Sequence, residues 1–450
     1  MGQARSAVLE KYADLEWDVT ERGLELNSAF ADAQSRIQQA RDVGDVRVAF
    51  EKLAGRFGER HVQFVWPKSQ HGARATLCGS LGYDTRMQAP PLASLLSGYV
   101  PLRVQGADVF PTGTLMSNGT KVGILKIPLF SAQGFPNLCE QALEALQIPR
   151  DSLCSQDCED RITSWTANRM TENLASVLEA LRQNDVHVLL IDIAENGGGT
   201  EWVEAAARMV TTKPVKSQRI SGIHGEHWVR RFAHMEDQVR DAIAAASPAD
   251  RDRLRDLLSE VSRRKHLTAE PCNPEPLLRG EPLSCSWLVD GFFDSGLIQS
   301  AESNECRKEA WCREVFTPVQ FPYSEGLWNA PVVVLVDEST GSAAEQFAAT
   351  LQDNHAALIV GSPTAGAGCG HTDGGTPTRL KNSGVILELP DCVRMRADGS
   401  NLANGVQPDV LVGLRGKDGP RRRAKILQDA LANIVQRAIA LAGRPTDPSR

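Results

Sequence analysis

The chain has 450 residues, 42% of them apolar and 23% charged, with 49 basic against 56 acidic side chains and a formal net charge of −7. These proportions exclude a disordered or collagen-like chain and leave enough apolar residues for a sizeable core, and the length prior gives roughly three units of about 150 residues. A mildly acidic chain with no long basic run does not suit general nucleic-acid binding.

The N-terminus, Met1 to Ser6, lacks the apolar segment of a secretory leader. Met1-Gly2 with Ser6 fits the spelling of an N-myristoylation signal, against the plainer reading of a start added by cloning. The first 60 residues read as helical, with Leu9, Tyr12, Leu15 and Trp17 opening a semi-periodic pattern. Short β-like runs follow at His61–Trp66, Ala73–Cys78 and Val100–Val104, and Val122–Phe130 reads as a strand. In Thr171–Leu181, Leu174, Val177, Leu178 and Leu181 share one helix face. Val186–Ile193 is apolar almost throughout, as in a strand covered on both faces, and it ends in Asn196-Gly197-Gly198-Gly199 before a helix from about Trp202.

Residues 235–265 read as a charged amphipathic helical insert with Leu254, Leu257, Leu258 and Val261 on its apolar face and Ser247-Pro248 as cap and first turn. A stretch with little periodicity then holds four of the ten cysteines, between 272 and 312. Such a stretch gains most from cross-links, so disulfides are expected, with reduced structural cysteines or a metal site as alternatives. Pairing is not readable from spacing, and no Cys-x-x-Cys pair exists for zinc. Pro331–Val336 is a second buried-strand pattern, followed by a helix carrying Phe347, Ala348 and Leu351, and Ala356–Gly361 is a third strand. Strands alternating with helices imply an α/β core. The last helix, about Arg422–Leu441, buries Ile426, Leu427, Leu431, Ile434 and Val435, and the tail Arg444–Arg450 is expected to be mobile. No run approaches the ~18 consecutive apolar residues of a transmembrane helix.

Two local features point to chemistry. In Leu335–Glu345 a buried strand turns through Gly341 into a helix that starts at Ser342, with small neighbours that leave room for a carbonyl. Helix N-terminal N–H groups there suit a developing oxyanion. Read alone, Ser342 with Glu345 three residues on also spells a capping box. The triple glycine at 197–199 presents backbone N–H groups without side chains, or is a flexible turn; no Gly-x-Gly-x-x-Gly dinucleotide fingerprint is present there or at Ala365–Gly370.

Together these segments resemble the C-terminal processing (tail-specific) serine proteases. Asp192–Gly199 is similar to that family's "D-x-R-x-N-x-GG" turn with Ala194 in place of Arg, and Val333–Glu345 to its nucleophile segment. Gly361–Gly366 resembles its "G-x-x-T-x-G" loop, and Asp398-Gly399 with Gly405–Val410 its "DG … GV-x-PD" ending. The resemblance covers roughly 120–215 and 330–412. It implies an α/β fold with a crotonase-like ββα-superhelix core, Ser342 as nucleophile, and an oxyanion hole from the N–H of Ala343 with Gly198 or Gly199. The lysine of the best-known branch is replaced by Ala367. The histidine-using branch, which includes the tricorn core proteases, takes its base from a "D-G-H" motif, and Phe57-Gly58-Glu59-Arg60-His61 is similar to it. His61 is therefore the expected base, an imidazole suited to shuttling a proton near neutral pH. The acid that relatives carry three residues before "GV-x-PD" is Leu402 here, so Asn401, Asn404, Asp398 and Glu59 stay open as groups that orient His61.

The expected organisation is an N-terminal helical domain (1–60), a first part of the protease core (61–229), a helical and Cys-rich insert (230–330) and a second part of the core (331–445). No PDZ-like segment is apparent between His61 and Val122. His224-Gly225-Glu226-His227, with His234, lacks the zincin spelling and is read as ordinary histidines rather than a metal site, and Cys369 beside His371 as a structural cysteine rather than a nucleophile. The expected function is a serine peptidase acting on proteins or peptides without metal or cofactor, in the periplasm or secreted, cytoplasmic being the alternative. A catalytically weak relative that binds a peptide or apolar ligand is the second reading, and crotonase-type acyl-CoA chemistry a third.

Overall fold

The computed structural model describes residues 1–67, 76–83, 90–372 and 375–443. Part of the expected strand Ala73–Cys78 and the whole tail 444–450 lie outside the described residues; Leu77–Ser80 is a short helix.

The centre is a seven-stranded sheet. Thr120–Lys126, Val188–Asp192, Val332–Val336, Leu358–Gly361 and Val410–Leu411 run parallel in that spatial order. Thr112–Ser117 and Val100–Pro101 extend it antiparallel beyond Thr120–Lys126. The run of apolar residues in the central strands follows from cover on both faces. Leu189, Ile191, Val334 and Val336 pack against Leu174, Val177 and Phe347 of the helices on one face. Leu190, Val333, Leu335 and Val360 alternate to the other face and meet Leu427, Leu431 and Ile434 of the C-terminal helix Pro420–Ala442.

The expected crotonase-like superhelix is not what forms. The central sheet is open, with edges at Val100–Pro101 and Val410–Leu411, and a single hairpin, Thr112–Ser117 with Thr120–Lys126, supplies its only strand–strand–helix unit among the described residues. The strands after Lys126 enter one at a time by parallel crossovers, so no ββα unit repeats to wind a superhelix. The two remaining sheets are separate three-stranded antiparallel ones.

One of them joins Arg219–Ile223, Leu288–Phe293 and Cys392–Met395, and so ties the insert to the catalytic half of the chain. The insert's helices, Glu226–Ala245 and Pro248–Ala269, form a hairpin with Pro248 in the first turn of the second. Leu254 and Val261 are buried there, in one apolar cluster with Phe30, Phe50 and Phe57 of the N-terminal segment. That segment is four helices, Gly2–Lys11, Leu15–Thr20, Leu26–Gln38 and Val43–Ala54. The cysteines pair as Cys78–Cys139, Cys154–Cys158, Cys272–Cys285, Cys306–Cys312 and Cys369–Cys392. Among the described residues no helix is long and apolar enough to cross a membrane.

Candidate active site

Two adjacent parallel strands, Val188–Asp192 and Val332–Val336, end side by side, and the turns beyond them are sewn together. The buried Asp337 accepts the N–H groups of Glu195, Ser339 and Thr340 on one oxygen. Its other oxygen takes Arg423 Nη2 of the C-terminal helix at 2.5 Å. Thr340 Oγ1 donates to the Ile193 carbonyl, and Gly341 N–H to the Asn196 carbonyl at 3.0 Å. The chain thus leaves Gly341 with no freedom to relax, and Ser342 is held at φ 53°, ψ −126°, a conformation a non-glycine residue adopts only when its surroundings over-determine it. Ser342 is the N-cap of the helix Ala343–Asp353, so its side chain stands where that helix's N–H groups point.

The glycine turn closes against it. Asn196 is buried; its Nδ2 donates to the Ile127 carbonyl and its Oδ1 accepts the Gly198 N–H at 2.8 Å. A Cβ on Gly198 would lie 2.6 Å from Ser342 Cβ and 3.1 Å from Ala343 N. Gly199 lies as close to the Phe130 backbone and is exposed to solvent.

His61 reaches the same place from the N-terminal side of the chain. Its Nε2 is 3.1 Å from Ser342 Oγ and its Nδ1 2.5 Å from Glu59 Oε1, while the His61 N–H donates to Glu59 Oε2 at 2.6 Å. Glu59 is buried, and both its oxygens are spent on the same histidine. The loop that carries both residues is itself anchored. Gly58 N–H donates to the fully buried Asp18, whose carboxylate also takes Tyr12 Oη and Arg22 Nη1, each at 2.7 Å.

Of the other residues weighed for orienting His61, Asn401 and Asp398 have other partners, and Asn404 lines a cavity beside the base loop. Asn401 Nδ2 donates to Asp14 Oδ1 at 2.6 Å, and its Oδ1 accepts the Ala403 N–H. Asp398 is exposed and accepts from Ser400. Leu402 is buried in the central core. His224 has Nδ1 on the Glu270 carbonyl and Nε2 on the Ser286 carbonyl, and His227 faces Asp391 at 3.3 Å.

Three residues carry more than their spelling announces. Asp14 and Asp18 bind partners up to 387 positions away, which no local pattern reveals. Asp14 Oδ2 is buried without a hydrogen-bond partner; burial, then the charge of Glu59, push its carboxyl well above the usual range. Glu345 supplies its half of the capping box, accepting the Ser342 N–H at 3.2 Å, but also accepts from Thr364 Oγ1 and from the N–H groups of Gly366 and Ala367 at 2.7 Å each. It therefore fastens the Ser342 turn to the Thr364–Ala367 loop. Burial pushes its pKa up to about 7 against these four donors.

A folded-state pKa above the unfolded one means that the folded state holds the extra proton between about pH 4.3 and 7. The contribution of Glu345 to stability is then full at the acidic end and declines as pH rises through that window. Urea midpoints measured from pH 4 to 8 are expected to show this decline, and Glu345→Gln to flatten it; an equal slope in the two proteins would exclude Glu345 as its source.

Comparison with known proteins follows the same lines. The sequence profile of peptidase family S41 matches residues 160–412, more than half of the chain. A Chlamydia pneumoniae protein is 31% identical over 115 residues, 25% of this chain; the match spans only 18% of that relative's length. The crystal structure of mature CPAF has a TM-score of 0.56 at 15% identity, covering 98% of this chain and 97% of CPAF. CPAF complexed with lactacystin gives 0.56 at 16%, with 97% of each chain covered. A CPAF mutant gives 0.59 at 14%, covering 99% of this chain and 97% of the mutant. At these identities the structures establish a shared fold across nearly the whole chain, including the segments on either side of the profile match. With its family model matched over more than half of its length, the chain belongs to peptidase family S41.

Proposed function

We propose that the chain is a serine peptidase of proteins or peptides, with Ser342 as nucleophile, His61 as general base and acid, and Glu59 as the group that orients His61. The observation that carries this reading is the continuous line Glu59–His61–Ser342, with contacts of 2.5 and 3.1 Å. A carboxylate only accepts, so Glu59 fixes the proton on Nδ1 and leaves the Nε2 lone pair for the Ser342 hydroxyl. Ser342 Oγ attacks the peptide carbonyl while its proton passes to Nε2. The C–N bond then breaks as the imidazolium returns that proton to the leaving amine, and water hydrolyses the ester by the same base. The oxyanion is assigned to the N–H of Ala343 with a second donor from the glycine pair. Because the Gly198 N–H is engaged by Asn196, Gly199 is the favoured second donor.

A fluorophosphonate probe tests this directly. It should phosphonylate Ser342 with loss of fluoride, seen as a mass shift on the peptide that contains it, and only in the folded protein. Labelling at another serine, or none on folded protein, would sink the assignment. The short His61–Ser342 contact speaks against a merely ligand-binding relative.

The five disulfides support an oxidising compartment, periplasmic or extracellular. Thiol titration of protein from its native source, denatured without reductant, should find none free; ten free thiols would remove the case.

A further inference from the structure

We propose that the cavity behind the base loop is a substrate subsite for an acidic side chain, with Arg60 as its specificity-determining residue; this rests on the peptidase reading above. The cavity has a volume of about 550 Å³ and is bounded by Trp17, Arg22, Gly58, Arg60, Ala365 and Asn404. Its walls include Glu59 and Arg60, the chain neighbours of His61, and the Thr364–Gly366 loop. Arg60 lies between Glu59 and His61 in the chain, and Ala365 Cβ is 3.5 Å from where a Cβ of Gly341, the neighbour of Ser342, would stand. An extended peptide advances about 3.3 Å per residue, so a side chain two to four residues along lies roughly 7–13 Å from the scissile bond, and these are the positions to examine.

The charges on and behind the walls are unequal in what they have left to bind. Asp18 and Glu59 are buried and occupied, the first by Gly58, Tyr12 and Arg22, the second by His61. Arg22 is held by Asp18 and lies 5.4 Å from the centre of the Trp17 ring. Arg60 is exposed, and among the described residues it enters no ion pair. The cavity thus offers a guanidinium without an ion-pair partner, and the apolar Trp17 ring lines the same cavity. A carboxylate matches that fork of donors, and a neutral or basic side chain does not.

The test is cleavage of an acetylated, C-terminally amidated peptide library by the wild type and by Arg60→Gln, with sites mapped by mass spectrometry. Then kcat/KM is measured for a Glu, Gln and Lys trio at the position found. The wild type is expected to prefer Glu over Gln about fivefold at one position two to four residues from the bond, since partly exposed ion pairs give differences of that order. Arg60→Gln should erase the preference, so that the Glu and Gln peptides are cut with equal kcat/KM. Arg60→Glu should favour Lys. Absence of an acidic preference, or its persistence in Arg60→Gln, overturns the subsite while leaving peptidase activity established. Failure of both proteins to cleave any peptide sinks the peptidase reading itself, and the subsite with it.

Discussion

Glu59→Gln is expected to lower kcat by about a thousandfold to ten-thousandfold, the range seen when a histidine is held in the wrong tautomer. The reason lies in the count of acceptors. Glu59 takes two protons from one residue, the His61 backbone N–H at 2.6 Å and the ring Nδ1 at 2.5 Å. Glutamine has one acceptor oxygen. The backbone amide cannot give up its proton, so the oxygen turns to it and the NH₂ faces the ring. Nδ1 must then be unprotonated, the proton sits on Nε2, and Ser342 loses its base. The side chain keeps its volume, so folding should be nearly unaffected. Steady-state kinetics with matching circular dichroism checks this; a loss below about tenfold would mean that Glu59 does not set the tautomer.

Gly198→Ala is expected to reduce kcat by about a hundredfold, the scale of misplacing a reacting group by an ångström, and to cost about 1–3 kcal/mol of stability. The added methyl would lie 2.6 Å from Ser342 Cβ, and the backbone there sits at φ +121°. Gly197 provides the comparison, because a Cβ on it meets nothing within 4 Å and its φ is not positive. Gly197→Ala should retain activity within a few fold. If the two alanine variants behave alike, close approach to Ser342 is not what Gly198 is for.

The parts of the fold legible in the sequence are those encoded locally. Val186–Ile193 and Pro331–Val336 announce burial on both faces by composition alone, and the sheet has them at its centre. The Leu174–Leu181 face packs where its period requires. Leu288–Phe293 went unread because its exposed Asp290 and its glycine break any alternation; its strand character comes from pairing with Arg219–Ile223 across a register shift. The superhelix expectation failed for a related reason. The motifs lie in strand ends and turns, and these do not encode whether the sheet winds or stays open. At the site, Ser342 and His61 were each marked by a motif. Glu59 was one of four choices until the chain path brought its carboxylate to Nδ1, and Asp18 had no mark at all, since its role exists only through a contact 40 residues away.

The separation of Ser342 from His61 along the chain, 281 residues, has a consequence in time. A polypeptide is made from its N-terminus, so His61 and Glu59 emerge long before the serine they are to activate. At about 5–20 residues per second the interval is roughly a quarter of a minute to a minute. Arg423, which clamps Asp337 beneath the nucleophile turn, follows later still. On the proposed assignment, a chain still being made lacks a complete site, which comes together only when synthesis is nearly over.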